Sequence, residues 1–263
     1  MYHLRLIFTF LRASIQQDMA YRSNFLINLM YSMLNLLTGV LGIVVLFGQV
    51  RTVHGWNFAS VLALLGVYQI LGGLRGLVFG PSLETLAGLG GDLWTGNFDF
   101  TVLRPVNLQF LASVRNWRIF SLVDLLLGMS VLGVAALLLH QSLTALRIAS
   151  FIIALCVGIV ILYAILLAFT ALVFWSQGVL FTWVFNGLFQ LARYPVGLYP
   201  GWLQLVLSWI VPVGVMTTIP AQALSSELPP HMLISSVLLS IALVVGASFL
   251  FQSGLRRYTS ASS

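Results

Sequence analysis

Apolar runs long enough to cross a lipid bilayer recur along the whole of this 263-residue chain. A membrane-spanning helix needs roughly 20 such residues, because the hydrocarbon core is about 30 Å thick. Only 7% of the residues are charged, whereas soluble domains carry about a quarter. The recurrence of the runs excludes a soluble body with a single anchor. The sequence therefore predicts an all-α integral membrane protein, in which residues 1–263 form one transmembrane domain.

The runs predict six membrane-spanning helices. Their approximate limits are 24–48, 59–82, 116–139, 147–174, 177–198 and 232–252. Gly187 and Pro195 interrupt the fifth of these spans. Residues 2–17 separate an apolar face from a polar one, which is typical of an amphipathic helix that lies on the membrane surface. The alternative is that this segment merely extends the first span.

Six of the eight prolines fall between residues 195 and 230. Each proline removes a backbone donor and disfavours an unbroken helix. The apolar segment 201–222 is therefore predicted to form a pair of short re-entrant helices, within an external region at 200–230, rather than a seventh span. Broken backbone at membrane depth must be shielded by protein or line a wet cavity. This favours a position at a subunit interface or beside a translocation route.

The arginines predict the orientation, because cytoplasmic loops carry an excess of basic residues. With the N-terminus in the cytoplasm, eight of the twelve arginines lie inside: Arg5, Arg12, Arg22, Arg104, Arg115, Arg118, Arg256 and Arg257. Arg51, Arg147 and Arg193 then lie outside, and Arg75 lies in the inner half of its span. Six crossings return the C-terminus to the cytoplasm. The net charge of +6 suits anionic lipid headgroups rather than nucleic acid, since no basic cluster has interleaved aromatic residues.

The sequence predicts no catalytic site, metal site or bound cofactor. A Walker A loop needs a lysine to reach the nucleotide phosphates, and the chain contains no lysine. There is no Gly-x-Ser-x-Gly motif, and the four histidines lack the spacing of metal ligands. If ATP drives this protein, another polypeptide hydrolyses it.

Apart from the arginines towards the ends of the predicted spans, Arg118, Arg147 and Arg193, the charged residues within the spans are Arg75 and Asp124. Arg75 lies in the sequence GGLRGLVFG, where Gly72, Gly76 and Gly80 recur every four residues. Small residues at this spacing let helices approach closely in a bilayer, so the stripe predicts helix packing. Arg75 could pair with Asp124 on the neighbouring span or extend to the inner interface. The alternative is that Arg75 or Asp124 contacts substrate along its pathway.

The loop at 83–115 is the only sizeable predicted cytoplasmic loop, and it contains the sequence GGDLWTGNFDFTVLRPVNLQF. Three of the six acidic residues lie in it: Glu84, Asp92 and Asp99. Among them are three aromatic residues: Trp94, Phe98 and Phe100. Gly90, Gly91 and Gly96 permit tight turns. A charged, aromatic and compact loop is typical of a partner-docking element, and the alternative is a solvated loop with interfacial aromatics.

Within this loop, GNFDFTVLRP resembles the G-x-(L/F)-D-x-x-L-x-R-P signature of the membrane subunits of ABC-2-type transporters. The matching positions are Gly96, Asp99, Leu103, Arg104 and Pro105. The order of elements is also similar, from an interfacial helix through two spans, the loop and two closely spaced spans to a broken region and a last span. In the broken region, Pro212 and Pro220 match the family's two prolines about eight residues apart.

The resemblance implies the permease subunit of an ATP-binding-cassette exporter in the bacterial cytoplasmic (inner) membrane. ATP and Mg²⁺ would bind to two copies of a separate ATPase subunit. The second permease of the assembly would be a related paralogue, giving a heterodimer, or another copy of this chain. The residues that would couple to the ATPase are Glu84, Asp92, Trp94, Gly96, Phe98, Asp99, Phe100, Arg104 and Pro105.

Two other classes of protein compete with this hypothesis. A secondary carrier or channel without an ATPase partner would need ionisable or discontinuous helices near the bilayer midplane; the broken region supports it, and the few charges in the spans count against it. A membrane-bound enzyme such as a lipid transferase would need paired carboxylates or histidine clusters near an interface. Apolar walls rich in Phe, Leu and Trp favour an amphipathic or apolar-bearing substrate over a small ion.

Overall fold

The computed structural model describes residues 2–20, 22–88, 90–139, 144–176, 181–226 and 228–258. Regular structure in these ranges is helical, with an isolated β-bridge between Val53 and Trp56 and no β-strand. The first part of the chain forms α1 (Tyr2–Ala20), α2 (Arg22–Gln49), α3 (Phe58–Leu74) and α4 (Gly80–Ala87). A π-helical turn, Arg75–Phe79, joins α3 to α4. Asn57 and Ser60 exchange hydrogen bonds in a capping box that starts α3.

Three short helices follow in the predicted loop: α5 (Asp92–Thr95), α6 (Phe98–Val102) and α7 (Leu108–Val114). A 3₁₀ turn, Ile119–Ser121, leads into α8 (Leu122–Leu138), and α9 covers Ala145–Leu172. The remaining helices are α10 (Phe181–Leu191), α11 (Gly201–Leu205), α12 (Val213–Ser225) and α13 (Pro230–Arg257). A second π-helical turn, Val206–Ile210, extends α11.

Within the described residues, five helical stretches are long and apolar enough to cross a membrane. They are Ser23–Gln49, Phe58–Thr95, Ile119–Leu138, Ala145–Leu172 and Pro230–Arg257. They coincide with five of the six predicted spans, and the prediction of an all-α integral membrane protein is confirmed. The segment α1 forms a separate helix, which contacts the start of α8. The Ser14 hydroxyl accepts a hydrogen bond from the Trp117 backbone at 3.1 Å, and Asp18 accepts one from the Ile119 backbone at 2.8 Å.

The predicted span at 177–198 differs from the other five. Residues 177–180 lie outside the described part of the chain. The helix α10 has 11 residues, which corresponds to about 16 Å, or half of the hydrocarbon core. Between α10 and α11 the chain forms no long helix. The Tyr194 hydroxyl lies beside Gly42 of α2, and Gly197 lies near His54. The interruption predicted at Pro195 therefore separates a helical half from an irregular half.

The proline-rich region forms a bent pair of helices. Gly201–Ile210 and Val213–Ser225 meet at 89°. The two ends of this pair both lie near His54. Gly197, just before the pair, lies beside His54, and Ser225, at the end of the pair, lines a cavity together with His54. The bend at Pro212 lines a cavity between α9 and α13. This geometry favours a re-entrant hairpin over a sixth continuous crossing.

Backbone contact between α3 and α8 forms the centre of the bundle. A Cβ atom added to Gly73 would lie 2.7 Å from the backbone nitrogen of Leu125, and one added to Gly128 would lie 2.7 Å from that of Ile70. About two turns before Gly73 in α3, a Cβ at Gly66 would lie 2.9 Å from the backbone nitrogen of Leu132. Only glycine allows the two helices to approach this closely.

The predicted packing stripe of Gly72, Gly76 and Gly80 has a different environment. A Cβ at Gly72 would make an ordinary 3.7 Å contact with the Phe189 ring, and one at Gly80 would meet the carbonyl of Arg75 in the same helix at 2.9 Å. Gly76 approaches the Ser121 side chain at the start of α8. The π-helical turn changes the angle per residue, so the three glycines do not form one face against a neighbouring backbone.

We expect Gly73→Ala to lower the thermal unfolding midpoint of the purified protein, because overpacking against an unyielding backbone costs about 2 kcal/mol. Gly133→Ala is the matched control: it lies in α8 with no atom within 4 Å of its added Cβ, and loss of a helical glycine stabilises by about 0.5 kcal/mol. Equal midpoints for Gly73→Ala and Gly133→Ala would contradict the packing described for α3 and α8.

Candidate functional site

Four parts of the bundle surround a cavity of about 300 Å³ that we call the polar cavity. They are α2, the continuous α3–α4 helix, the start of α8, and α10. The polar residues that line it are Asn28, Tyr31, Asn35, Tyr68, Gln69, Arg75, Glu84, Arg118, Ser121, Asp124, Asn186 and Gln190. Gly72, Gly76 and Gly80 line the same cavity. Their lack of side chains leaves the space open.

Arg75 begins the π-helical turn and lines the polar cavity. Its guanidinium lies 3.6 Å from the Glu84 carboxylate and donates a hydrogen bond to the side-chain oxygen of Asn186. It also lies 5.1 and 5.5 Å from the ring centroids of Phe185 and Phe189, which is a cation–π geometry. These contacts hold the guanidinium between the α3–α4 helix and α10.

The partner of Arg75 is therefore Glu84 and not Asp124. Asp124 accepts a hydrogen bond from the Gln69 amide at 3.3 Å. Gln69 lies about 9 Å from Arg75 along the helix axis, so Asp124 and Arg75 occupy different levels. Glu84 also lies 3.6 Å from Arg118. Glu84, which we expected in a docking element, thus lies in the polar cavity between two guanidinium groups.

Arg193 also differs from its predicted position outside the membrane. Its guanidinium donates hydrogen bonds to the backbone and side-chain oxygens of Asn35 and to the Thr38 hydroxyl. Asn35 and Thr38 lie near the middle of α2, so Arg193 lies at mid-span depth. Its Nε atom is buried without a hydrogen-bond partner. The short α10, which ends before Pro195, places Arg193 against α2.

A signal for this polar region was present in α2. Its polar residues recur at alternating spacings of four and three: Asn24, Asn28, Tyr31, Asn35 and Thr38. Residues at these spacings share one face of a helix. The strongly apolar residues around this stripe mask the pattern in the sequence. Together with Arg193, this stripe forms the polar side of α2.

In the predicted loop, two glycines set the path of the backbone. Gly90 and Gly96 have φ angles of 69° and 75°, in the left-handed region that glycine adopts without strain. Gly96 ends α5 and turns the chain into α6. Asp92, the first residue of α5, forms a 2.8 Å ion pair with Arg115. This pair ties the beginning of the loop to the end of α7.

The centre of the loop is anchored to the ends of two spans. Phe98 is 1% exposed, and its ring lies 5.0 Å from that of Tyr258 and 6.0 Å from that of Phe174. Tyr258 donates a 2.9 Å hydrogen bond to Asp99. Burial, and then the hydrogen bond to Asp99, raise the pKa of Tyr258 to about 12. Tyr258 is therefore neutral and remains a donor at neutral pH.

Four large apolar side chains of the loop are exposed, and we call them the apolar row: Trp94, Phe100, Val102 and Leu103. Phe100 is 69% exposed and Leu103 is 81% exposed. Arg104 and Pro105 are exposed beside it. The helix α7 begins three residues after Pro105, at Leu108, where the Asn107 side chain caps it.

Comparison with known proteins places this architecture in one family. A model of the ABC-2 family transporter protein matches residues 33–262. The chain belongs to the ABC-2 transporter family. No curated protein matches it.

The family assignment makes this chain the membrane permease of an ABC transporter rather than its ATPase. It also implies partnership with an ABC ATPase. The matched range includes the loop with its apolar row, the bent pair of helices and the residues of the polar cavity other than Asn28 and Tyr31. Within the described residues of the permease, no group of three or more His, Cys, Asp and Glu side chains could hold a metal ion.

The predicted coupling residues of the permease therefore fall into three groups. Glu84 lines the polar cavity. Asp92, Gly96, Phe98 and Asp99 hold the loop: Gly96 turns the chain from α5 into α6, and the other three make contacts within the chain. The exposed group comprises Trp94, Phe100, Arg104 and Pro105, and Leu103 joins it. The alternation of buried Phe98 and exposed Phe100 could not be read from the sequence, because both are aromatic residues in a helix of five residues.

We expect Tyr258→Phe to increase amide hydrogen exchange in residues 92–105, because one hydrogen bond worth about 1 kcal/mol is lost, which corresponds to about fivefold more frequent local opening. Tyr31→Phe, at an exposed ring on α2, is the matched control. The pKa of Tyr258 lies above its usual value near 10, so the bond persists through neutral pH and is lost as pH rises through about 12. Unchanged exchange in Tyr258→Phe would show that this hydrogen bond does not hold the loop.

Proposed function

We propose that this permease moves an amphipathic substrate out of a bacterial cell, driven by ATP that a separate subunit hydrolyses. The observation that carries the proposal is the apolar row on the 83–115 loop. Large apolar side chains at an exposed, fixed surface are typical of a protein–protein interface. The row would bind in a groove of the ATPase.

The support beneath the apolar row favours this role over that of a solvated connection. Asp92 and Arg115 fix one end of the loop, and the Asp99–Tyr258 hydrogen bond fixes its centre. A surface that is held in place before binding loses less conformational entropy when a partner binds. If the loop had no partner, exposing Phe100 and Leu103 on this fixed surface would not stabilise the protein.

The same contacts provide a route for movement. Phe98 packs against Phe174, just beyond α9, and against Tyr258 at the end of α13. Through α7, Gln109 donates hydrogen bonds to Tyr163 of α9 and Ser248 of α13, at 3.2 and 3.0 Å. A push on the apolar row by the ATPase would therefore act on α9 and α13 together.

The assembly that we propose contains two permeases and two ATPase subunits, with ATP and Mg²⁺ on the ATPases. The second permease would be a paralogue or another copy of this chain. The apolar window of α2 is only 17% buried within the single chain, and it offers a face for the second permease. Substrate would cross where the two permeases meet.

The orientation that we propose places both termini in the cytoplasm of a bacterial inner membrane. Arg193 lies at mid-span depth, so it no longer counts among the external arginines. Eight arginines then lie inside and two, Arg51 and Arg147, lie outside. The apolar row faces the cytoplasm in this orientation, where ATP is available.

We expect the double change Phe100→Ala and Leu103→Ala to weaken ATPase binding by about thirtyfold, because two well-packed apolar anchors contribute about 2 kcal/mol or more. Co-purification with the ATPase, followed by vanadate-sensitive ATP hydrolysis, measures the effect. Phe249→Ala removes a ring that is 72% exposed on α13 and is the matched control. Equal ATPase recovery with both variants would show that the docking surface lies elsewhere.

The orientation is tested by cysteine labelling of intact cells in a Cys156→Ser background. A membrane-impermeant thiol reagent should label Ser225→Cys from outside and leave Arg257→Cys unlabelled, since these residues end α12 and α13. Permeabilised cells provide the control, because both cysteines should then react. External labelling at 257 would overturn the orientation.

A further inference from the structure

We propose that α1 is a regulatory binding surface for anionic phospholipid, and that the bound lipid holds the start of α8 in place. The inference goes beyond the proposed transport function, from which it takes only the side of the membrane on which α1 lies. Three observations lead to it: the exposed side chains of α1, a cleft between α1 and its neighbours, and the hydrogen bonds that α1 accepts from the chain entering α8.

One edge of α1 carries exposed apolar side chains. Phe8 is 69% exposed, Ile15 37% and Met19 65%. At 3.6 residues per turn, these three side chains lie within an arc of about 40°. Ser14, which contacts the start of α8, is buried on another side of the helix. An exposed apolar edge on a helix that packs beside the spans is typical of a helix that lies in the membrane interface.

Two arginines border this apolar edge. Arg5 and Arg12 lie about 50° around the helix from it, and both are exposed. Within the described residues, neither forms an ion pair. When the apolar edge enters the hydrocarbon, both guanidinium groups lie at the depth of the headgroups, where phosphate is a bidentate partner. In the proposed orientation they face the cytoplasmic leaflet, whose surface is negative.

A cleft at the end of α1 fits an acyl chain. It has a volume of about 350 Å³ and is lined by Met19 of α1, Phe25 of α2 and Phe120 of the 3₁₀ turn, together with Asp18. The Asp18 carboxylate accepts a hydrogen bond from the Ile119 backbone, and the rest of the lining is apolar. Because three elements form the cleft, it exists only while α1 is packed against the other two. A lipid chain in the cleft therefore favours this packed arrangement.

Two side chains of α1 hold the chain at the entry to α8. The backbone N–H of Trp117 donates to the Ser14 hydroxyl at 3.1 Å, and that of Ile119 donates to the Asp18 carboxylate at 2.8 Å. These N–H groups lie at or before the start of the helix, where no helical carbonyl can accept from them. If α1 moved away, both would lose their acceptors and exchange with solvent.

Arg118 lies between these two residues and reaches the polar cavity. Its backbone N–H donates to the Leu77 carbonyl of the π-helical turn at 3.2 Å. Its guanidinium lies 3.6 Å from Glu84, which lines the same cavity. A lipid that keeps α1 packed therefore keeps Arg118 beside Glu84. Anionic lipid would in this way stabilise the arrangement of the polar cavity.

The test measures amide hydrogen exchange of the permease alone in nanodiscs. The bilayer is phosphatidylcholine, with or without about one third phosphatidylglycerol, whose headgroup is anionic. Peptides that cover residues 115–121 report the N–H groups of Trp117 and Ile119. We expect their exchange to be at least about fivefold slower with phosphatidylglycerol, the factor that corresponds to one arginine near an anionic surface. Both leaflets have the same composition, so the result does not depend on the orientation of the permease.

The variant that tests the lipid contact combines Arg5→Gln with Arg12→Gln, and it should remove the difference between the two bilayers. The matched control combines Arg256→Gln with Arg257→Gln, which removes the same charge from exposed residues at the end of α13. The control should keep the difference. If the control also loses it, the net charge of the protein accounts for the effect and the proposal is wrong.

Asp18→Ala checks that these peptides report the packing of α1. It removes a hydrogen bond to a charged group, so the exchange of Ile119 should rise about tenfold in either bilayer. An unchanged rate would show that α1 does not hold the entry to α8, and this would overturn the proposal.

Two further outcomes would overturn it. One is equal exchange of the unaltered permease in the two bilayers. The other is equal protection by inorganic phosphate added to phosphatidylcholine nanodiscs, because the site would then bind a free anion and need no lipid. No step requires the ATPase, so the outcome is separate from co-purification of the permease with its ATPase, which tests the proposed function.

Discussion

The glycine-mediated contact between α3 and α8 determines most of the arrangement around it. Because backbones meet at Gly66, Gly73 and Gly128, the rotation of α3 about its own axis is fixed. That rotation brings Gln69 to Asp124 on one neighbour and Tyr68 to Phe189 of α10 on another. A bulkier interface would separate these helices and open the polar cavity to lipid.

The π-helical turn at Arg75–Phe79 connects two regions with different chemistry. Arg75, in the turn, and Glu84, in α4, line the polar cavity. Ser82 and Thr85, which lie on either side of Glu84 in α4, hydrogen-bond to Asn116, between α7 and α8, at 2.8 and 2.7 Å. The loop that we propose as the docking element and the polar cavity therefore share one continuous helix. A displacement of the loop would be transmitted to the cavity through α4.

Much of this fold is predictable from the sequence, since bilayer thickness imposes a length on apolar runs and proline interrupts helices wherever it occurs. The five spanning stretches and the bend at Pro212 follow from those two rules. Contacts between helices do not follow, because they depend on rotation about each helix axis. Thus Arg75 pairs with Glu84 rather than Asp124, and the glycines in backbone contact are Gly66 and Gly73 rather than the more regular stripe.

The candidate site was predictable to a similar degree. Residue types and the loop position identified a region of interest around Asp99, and the family match supports the class of protein. The inward direction of Phe98 depends on aromatic partners such as Tyr258, more than a hundred residues away in sequence, and no local pattern reveals them. The depth of Arg193 depends on where α10 ends. The irregular chain beyond Leu191 has no periodic signal, so the sequence alone does not reveal that depth.

The hydrogen bond between Asp99 and Tyr258 joins residues that are 159 positions apart. During synthesis, the loop leaves the ribosome long before the end of α13 exists. The loop then lacks both its hydrogen-bond donor and one ring of the cluster around Phe98. The packing beneath the loop is therefore completed only when the end of the last span has been synthesised, so a chain truncated before Tyr258 would lack the support of its own loop.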